Sequence, residues 1–204
     1  VEQNYLKKTG ENKISLGGMS LGLALNSIYY YQREQYGEFY ERPIDDEELI
    51  REGEKIAQEI IERLRMRPEL EDVPILIGLF KQEARNSIVP GSYLQYAVSS
   101  PGKNSLGDWV QLNEKYVSFP MSSPEDIYRD INDAFNKFKH EIDLYFSNLT
   151  SVIGTGFYKE NRIQKLEVEI PIQFFGTAEI IGFTQYLTGV MLSKLPQDLP
   201  VVIS

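Results

Sequence analysis

The chain has 204 residues, enough for one domain or two small ones, and its 42% hydrophobic and 25% charged fractions are those of an ordinary globular protein. Its net charge of −9 argues against nucleic acid and against an anionic membrane surface as partners. The absence of Cys excludes disulfides, thiolate zinc sites and Cys nucleophiles. The chain opens on Val1 rather than Met, so we expect it to be a fragment.

The N-terminal part begins with a polar stretch, residues 1–13, which predicts a loose terminus. In residues 17–31 large side chains alternate with small ones, which predicts a long strand with one small-residue face. The small positions are Ser20, Gly22, Ala24 and Asn26. We expect a helix to pack on this face, and ligand binding is the alternative.

Six aromatic residues follow in a short stretch: Tyr29, Tyr30, Tyr31, Tyr36, Phe39 and Tyr40. Tyrosine often lies half-buried with its hydroxyl in water, so we interpret this cluster as the rim of a core. The alternative is a stacking platform for a sugar or a peptide.

Two amphipathic helices are predicted, at 45–66 and 124–146. Asp45 and Glu48 have the spacing of a capping box, and Ser123 is the expected N-cap of the second helix. The expected apolar stripes are Leu49, Gly53, Ile56, Ile60 and Leu64 in the first helix, and Ile127, Ile131, Ala134, Phe135, Phe138, Ile142 and Tyr145 in the second.

A third helix is predicted over 177–194, capped by Thr177. It is apolar over much of its girth, which predicts that it is the most deeply packed of the three. The remaining strands are expected at 73–80, 92–99, 114–119 and 199–203. The last of these should pair in parallel with the strand that precedes the third helix.

The clearest hairpin spans 151–173, with its turn at Glu160-Asn161. The register that places the apolar residues of both strands on one side pairs Thr155 with Leu166. Together these elements predict a single α+β domain over 1–204, with a mostly antiparallel sheet and three packed helices. A short likeness between the halves 14–105 and 106–204 indicates a possible internal pseudo-repeat.

Motifs of common catalytic sites are missing: the chain has no GxSxG elbow, Walker loop, HExxH or calcium loop. His140 is the only His and lies off the helix stripe, which indicates a surface residue. The acidic residues Asp126, Asp130, Asp133, Glu167 and Glu169 fall on faces that we expect to be solvated. We therefore expect no metal and no cofactor.

Several long segments resemble one known family, the CamS family of sex-pheromone-precursor lipoproteins of Gram-positive bacteria. They are GGMSLGLALNSIYYY (17–31), IAQEIIERLR (56–65), DVPILIGLFKQ (72–82), VPGSYLQY (89–96), VIGTGFYKEN (152–161) and IPIQFFGTAEIIGFTQYLTG (170–189). The resemblance covers nearly the whole chain in order.

The resemblance implies a surface lipoprotein, made with a signal peptide that contains the pheromone and with a lipidated Cys. This chain contains neither that signal nor any Cys, so we expect it to be the extracellular folded part. A membrane would then be reached only through an upstream lipid anchor that is absent here. The resemblance implies no catalytic residues.

The leading hypothesis is a non-enzymatic binding or interaction domain for a peptide or a cell-wall glycan. The candidate ligand-binding residues are polar or aromatic and lie near strand ends: Asn26, Tyr30, Lys81, Gln82, Tyr93 and Gln185. The alternative is a cell-wall or peptide hydrolase that uses two converging carboxylates. A third possibility is a structural spacer that only folds at the surface.

Overall fold

The computed structural model describes residues 2–8, 10, 13–145, 151–171 and 176–204. The chain divides into two compact units, Val1–Asn113 and Glu114–Ser204, each described by itself below. The α+β class is confirmed, with three helices and mostly antiparallel strand pairs, and the strands are distributed over three sheets. A single domain over 1–204 stays a prediction.

Unit 1 contains a five-stranded sheet, a two-stranded hairpin and one long helix. In chain order its elements are β1 (Glu2–Lys8), β2 (Ile14–Asn26), β3 (Ile28–Gln32), β4 (Phe39–Pro43), α1 (Asp46–Arg65), a 3-10 helix (Pro68–Leu70), β5 (Ile75–Gln82), β6 (Gly91–Ser99) and β7 (Val110–Gln111). The sheet has the order β1-β2-β5-β6-β7, and β3 pairs with β4. Strands β2 and β5 are parallel, whereas the other neighbours in unit 1 are antiparallel.

Strand β1 corrects the prediction of a loose terminus for residues 2–8, while residues 1, 9, 11 and 12 lie outside the described chain. All seven side chains of β1 are exposed, and the strand pairs with β2 at the edge of the sheet. A polar composition is compatible with an edge strand, because its backbone needs a partner although neither of its faces is buried. Polarity alone therefore did not reveal it.

Helix α1 begins as predicted, because the Asp45 side chain accepts a hydrogen bond from the Glu47 N–H at 2.9 Å. Its buried row differs from the prediction. Ala57 and Ile61 are completely buried, whereas Ile56 is largely exposed. The buried positions of α1 are Leu49, Gly53, Ala57 and Ile61, a row of residues four apart.

The helix packs against the large-residue face of β2, not the small-residue face that we predicted. A Cβ atom at Gly53 would lie 2.8 Å from Leu25 and 2.9 Å from Leu79, so the helix comes closest to the sheet there. Large side chains fill the gap between helix and sheet, and a glycine on the helix provides the close approach. The small residues of β2 point to the opposite face.

Arg65, in the last turn of α1, ties together two loops of unit 1. Its side chain donates to the carbonyl oxygens of Leu70, Glu71, Val73, Ser99, Ser100 and Lys103, and to the Ser99 hydroxyl. The planar guanidinium group carries five N–H donors in a fixed fork, which suits so many carbonyl groups at once.

Replacing Arg65 with Lys should lower the stability of unit 1 by at least about 2 kcal/mol, because an ammonium group leaves several part-buried carbonyls without a donor. Urea denaturation followed by the fluorescence of Trp109, the only Trp and a member of unit 1, measures the change. Arg63→Lys is the control, since Arg63 is exposed and pairs only with Glu59, and should change stability by less than about 0.5 kcal/mol. Equal effects of the two substitutions would contradict the assigned role.

Unit 2 contains a four-stranded sheet and two helices. Its elements are β8 (Glu114–Phe119), α2 (Asp126–Tyr145), β9 (Ile153–Lys159), β10 (Arg162–Glu169), α3 (Thr177–Lys194) and β11 (Val201–Ile203). The order is β11-β10-β9-β8, and β11 is parallel to β10, as predicted. The proposed pseudo-repeat is not seen in the strand directions, because β2 and β5 are parallel whereas β8 and β9 are antiparallel.

The predicted hairpin turn is confirmed, since Glu160 and Asn161 have φ values of 48° and 60°. Both central residues of a type I′ turn need positive φ. The predicted register is wrong by one residue, because a bulge lies between Ile163 and Lys165. Residues 172 and 173 of the predicted hairpin lie outside the described chain.

As a consequence of the bulge, the buried face of β9 carries glycines. Leu166 pairs with Gly156 and Val168 pairs with Gly154, so Thr155 and Ile153 lie on the other face. A Cβ at Gly154 would lie 2.6 Å from the Phe135 ring. The glycines thus leave room for aromatic rings of the unit 2 core.

Helix α2 begins at Asp126, two residues later than predicted, and its buried face also differs. Ile127 and Tyr145 are exposed, whereas Tyr128 and Asn132 are buried. The buried Asn132 side chain accepts from the Met121 N–H at 2.7 Å and donates to the Met121 carbonyl at 3.3 Å. These hydrogen bonds compensate for the burial of the Asn132 amide. Its burial was not predicted, because Asn is a polar residue. His140 is exposed, as predicted.

Helix α3 spans Thr177–Lys194, as predicted, but its N-cap is Gly176 rather than Thr177. The prediction that it is the most deeply packed helix is wrong. Only Phe183, Leu187 and Val190 are buried. Ile180, Ile181 and Leu192 are 47%, 54% and 55% exposed. Along one side the helix packs against α2 and into the core of unit 2, and its apolar opposite side faces solvent. Within the described residues, no helix is long and apolar enough to cross a membrane.

Tyr158 is a buried ionisable group in the core of unit 2. Its side chain is 3% exposed, and its hydroxyl has no hydrogen-bond partner among the described residues. Burial raises the pKa of Tyr158 from 10.0 to about 12, and the adjacent Tyr128 adds to this shift. The folded state therefore favours the neutral, protonated form of the Tyr158 hydroxyl.

Stability should fall as the pH rises from 10 towards 12, because Tyr158 loses its proton first in the unfolded chain. Tyr158→Phe removes the unpartnered hydroxyl, so the variant should be as stable as the original chain at neutral pH or up to about 2 kcal/mol more stable. It should also lose less stability above pH 10. Urea denaturation over a pH series tests this, with the 92% exposed Tyr36 changed to Phe as control. Superimposable pH curves for the three chains would contradict it.

Candidate binding site

The aromatic ring of Tyr93 lies on the sheet of unit 1, on the face opposite α1. The Tyr93 side chain crosses β5 above Gly78 and ends with its hydroxyl above Gly22 on β2. A Cβ atom would lie 3.0 Å from the Tyr93 ring at Gly78 and 2.7 Å from the hydroxyl at Gly22. Phe80 supports the ring edge-on, with 5.1 Å between the centroids. The small-residue face thus accommodates a tyrosine, not a helix.

Two hollows flank this glycine floor, with volumes of about 400 and 260 Å³. They share Gln3, Ser20 and Leu76 and therefore form one continuous depression, which we call the open-face groove. Its walls include Tyr5 and Val98 at one end, and Tyr93, Tyr96 and Leu112 at the other. Among the residues that the structure describes, none that lines the groove is charged. Such a mainly apolar lining with a few polar groups is typical of ligand sites.

A second cavity, the strand-end pocket, lies at the carboxyl ends of the parallel strands β2 and β5. Three of the predicted site residues, Asn26, Tyr30 and Gln82, line it together, and its volume is about 430 Å³. Arg85 closes one side: its guanidinium lies 4.2 Å from the centre of the Tyr30 ring, and its backbone N–H donates to the Tyr30 hydroxyl at 3.1 Å. Carboxyl ends of parallel strands are common places for ligands.

The other predicted site residues lie elsewhere. Lys81 forms an ion pair with Asp46 at 2.6 Å, so its charge is engaged at the start of α1. Tyr93 belongs to the open-face groove. Gln185 lies exposed on α3 of unit 2. The groove residues Gln3, Tyr5, Tyr96 and Leu76 were not predicted.

The aromatic cluster forms a ladder on the β3–β4 hairpin, in which Tyr29 is exposed and Tyr31 and Tyr40 are half-buried. Tyr29 stacks on Tyr31, and Tyr31 stacks on Tyr40, with centroids 5.5 and 5.6 Å apart. Tyr36 and Phe39 are 92% and 65% exposed, so the core-rim interpretation is wrong for them. The stacking-platform alternative stays a prediction.

The acidic residues singled out from the sequence lie at the surface. In the part of the chain that the structure describes, no three His, Asp or Glu side chains are grouped to hold a metal ion. The carboxylates singled out from the sequence, Asp126, Asp130, Asp133, Glu167 and Glu169, are all exposed. A hydrogen bond from Lys194 lowers the pKa of Glu141. Hydrogen bonds from Lys55 and Arg51 similarly lower the pKa of Glu52.

The family to which the chain belongs follows from comparison with known proteins. The family model described as the CamS sex pheromone cAM373 precursor matches residues 1–204. The chain belongs to the CamS family. The resemblance found in the sequence is thereby confirmed, and no curated protein matches the chain.

Two solved CamS structures show the same fold. The sex pheromone precursor of Lactobacillus salivarius subsp. salivarius UCC118 is 34% identical, with a TM-score of 0.90 over 99% of this chain. The C-terminal domain of the sex pheromone staph-cAM373 precursor from Staphylococcus aureus is 31% identical, with a TM-score of 0.81 over 93% of this chain. The chain spans 58% of the length of each of these relatives.

Gly22→Ala tests the geometry of the groove. The added methyl group would meet the Tyr93 hydroxyl at 2.7 Å, so the tyrosine ring should be displaced while the sheet stays folded. The ring signals of Tyr93 in an NMR spectrum with labelled Tyr should shift, with only local changes in the amide spectrum. Gly182→Ala is the control, since a Cβ there meets nothing within 4 Å. Unchanged Tyr93 signals in Gly22→Ala would show that the ring does not lie there.

Proposed function

We propose that this chain is a non-enzymatic binding domain whose open-face groove holds an uncharged stretch of cell-wall glycan. The observation that carries this proposal is the Tyr93 ring, seated on Gly22 and Gly78 beside a groove without charges. Sugar rings present C–H faces that pack against aromatic rings, and hydroxyl groups that need hydrogen-bond partners. Tyrosine supplies both kinds of contact, since its ring is apolar and its tip is polar.

The polar groups of the groove are few and suit sugar hydroxyls. The Gln3 amide can donate and accept, and the Ser20 hydroxyl can do both as well. Tyr5, Tyr93 and Tyr96 add three phenol groups along the walls. A few placed polar groups among apolar ones provide orientation and specificity in a ligand site.

The same lining favours a glycan over a peptide. An extended peptide usually binds at a free sheet edge, where its backbone groups complete the ladder. The groove instead crosses the face of the sheet, where Leu76 and Val98 would meet the peptide backbone without offering it hydrogen bonds. Charged wall polymers and charged peptides would find no counter-charge among the lining residues.

The cellular setting is part of the proposal. Membership of a pheromone-precursor family supports a longer, extracellular lipoprotein, in which an upstream signal peptide contains the pheromone and an upstream lipid anchor holds the protein at the membrane. The groove would then face the cell wall. In this setting the folded part needs neither a cofactor nor nucleic acid.

The alternative of a hydrolase receives no support from the groove. Hydrolysis by paired carboxylates needs two acids that converge on the substrate. None of the lining residues of the groove is acidic, and Glu167 pairs with the neighbouring Lys165 at an exposed position in unit 2.

A titration with soluble fragments of uncharged wall glycan tests the proposal. Tyr93→Ala and Tyr96→Ala should each weaken binding at least about tenfold, which corresponds to about 1.4 kcal/mol of lost stacking. Tyr36→Ala is the matched control, because that ring is 92% exposed on the hairpin and should not matter. Calorimetry gives the affinities, and amide spectra confirm that each variant is folded.

Two results would overturn the proposal: no binding of any glycan fragment by the folded chain, or equal losses in all three variants. A parallel titration with uncharged peptides distinguishes the ligand class. If peptides bound in the groove and glycans did not, the groove would be a binding site for a different ligand.

A further inference from the structure

The solvent side of α3 carries an uncharged heptad pattern, which we call the outer seam. Its members are Ala178, Ile181, Gln185, Thr188 and Leu192, all exposed. They are separated alternately by three and four residues, the spacing with which one helix packs along another. The buried residues Phe183, Leu187 and Val190 occupy the opposite side. The helix therefore has a second surface suited to packing, opposite the one that faces α2 and the core of unit 2.

The threonine hydroxyls at the outer seam form hydrogen bonds within the helix and so do not depend on water. The hydroxyl of Thr184, beside the seam, donates to the Ile180 carbonyl at 2.8 Å, and that of Thr188 donates to the Thr184 carbonyl at 2.7 Å. Both hydroxyls are thus satisfied within the helix, so covering them would leave no unpaired polar group. The only charged residues of α3 are Glu179 and Lys194, and helical spacing places both towards the buried side.

Two glycines beside the seam allow a close approach. A Cβ atom at Gly182 or at Gly189 would meet nothing within 4 Å, so no described residue of this chain fills the space that they leave. Glycine in a helix interior destabilises the helix relative to alanine, and packing of another helix against the bare backbone would offset that loss.

We propose that the outer seam is a homodimer interface, in which α3 of a second copy packs antiparallel about a twofold axis at Gln185. Gln185 is the middle residue of the seam. The antiparallel arrangement then places Ala178 opposite Leu192 of the other copy, and Ile181 opposite Gly189, next to Thr188. Each large side chain meets a small one, which fills the interface evenly. The two Gln185 amides meet at the axis, where each can donate to and accept from the other.

Charge also favours a second copy as the occupant. Two chains with a net charge of −9 repel each other over most of their surfaces. The outer seam itself has no charged member, so its five residues bring no like charges together when identical copies meet there. A twofold interface uses the same patch on both subunits, and the size matching about Gln185 satisfies that requirement.

Charged substitutions of Gln185, at the proposed axis, test the interface. Analytical ultracentrifugation of the intact chain over a concentration series measures its mass. The unaltered chain should show the dimer mass at high concentration. Gln185→Lys alone and Gln185→Glu alone should be monomers, because each places two like charges together at the axis. An equimolar mixture of the two should recover the dimer mass. The same pair of exchanges at Gln164, an exposed residue on the hairpin of unit 2, should leave dimerisation unchanged.

Disulfide cross-linking tests the orientation of the two helices. Because the chain has no native Cys, only the introduced Cys residues can form disulfides. Ala178→Cys mixed with Leu192→Cys should give disulfide-linked pairs, whereas either variant alone should not. Cross-linking of each variant only with itself would overturn the antiparallel arrangement. A monomer at every concentration, or a mixture of the Gln185 variants that stays monomeric while the unaltered chain dimerises, would overturn the interface itself.

Discussion

One helix covers one face of the five-stranded sheet, and the features of the opposite face depend on this one-sided packing. Gly53 lets α1 lie close to the large residues of β2 and β5, where Leu25 and Leu79 fill the contact. The small residues of the same strands are thereby directed to the other face. There they form a floor on which Tyr93 rests, and the described residues of unit 1 place a groove there rather than a second helix.

Features set by neighbours in the sequence could be predicted, and features set by distant partners could not. The cap at Asp45 and the turn at Glu160-Asn161 depend on local geometry, and both were predicted. The side of a strand or helix that is buried depends on what packs against it. A single bulge after Ile163 exchanged the two faces of β9, and the apolar girth of α3 gave no indication that one side would be left in solvent.

The candidate sites show the same division. Asn26 and Gln82 meet because β2 and β5 are parallel neighbours whose carboxyl ends coincide, and Tyr30 joins them from β3. Their strand-end positions were visible in the sequence. Tyr5 and Tyr96 come to the groove through the pairing of β1 and β6, which no local pattern revealed. The available signal was the alternation of small residues along β2, and we first attributed it to helix packing.

The position of β1 makes the groove dependent on the docking of a peripheral strand. Gln3 and Tyr5 form part of the groove wall, although β1 is the edge strand and all seven of its side chains are exposed. Edge segments with few buried contacts open at a lower free-energy cost than central strands. A ligand that touches both β1 and the central strands must therefore hold the edge strand in place, and its binding free energy is shared with that closure. Affinity in the groove and slow amide exchange along β1 would then rise together.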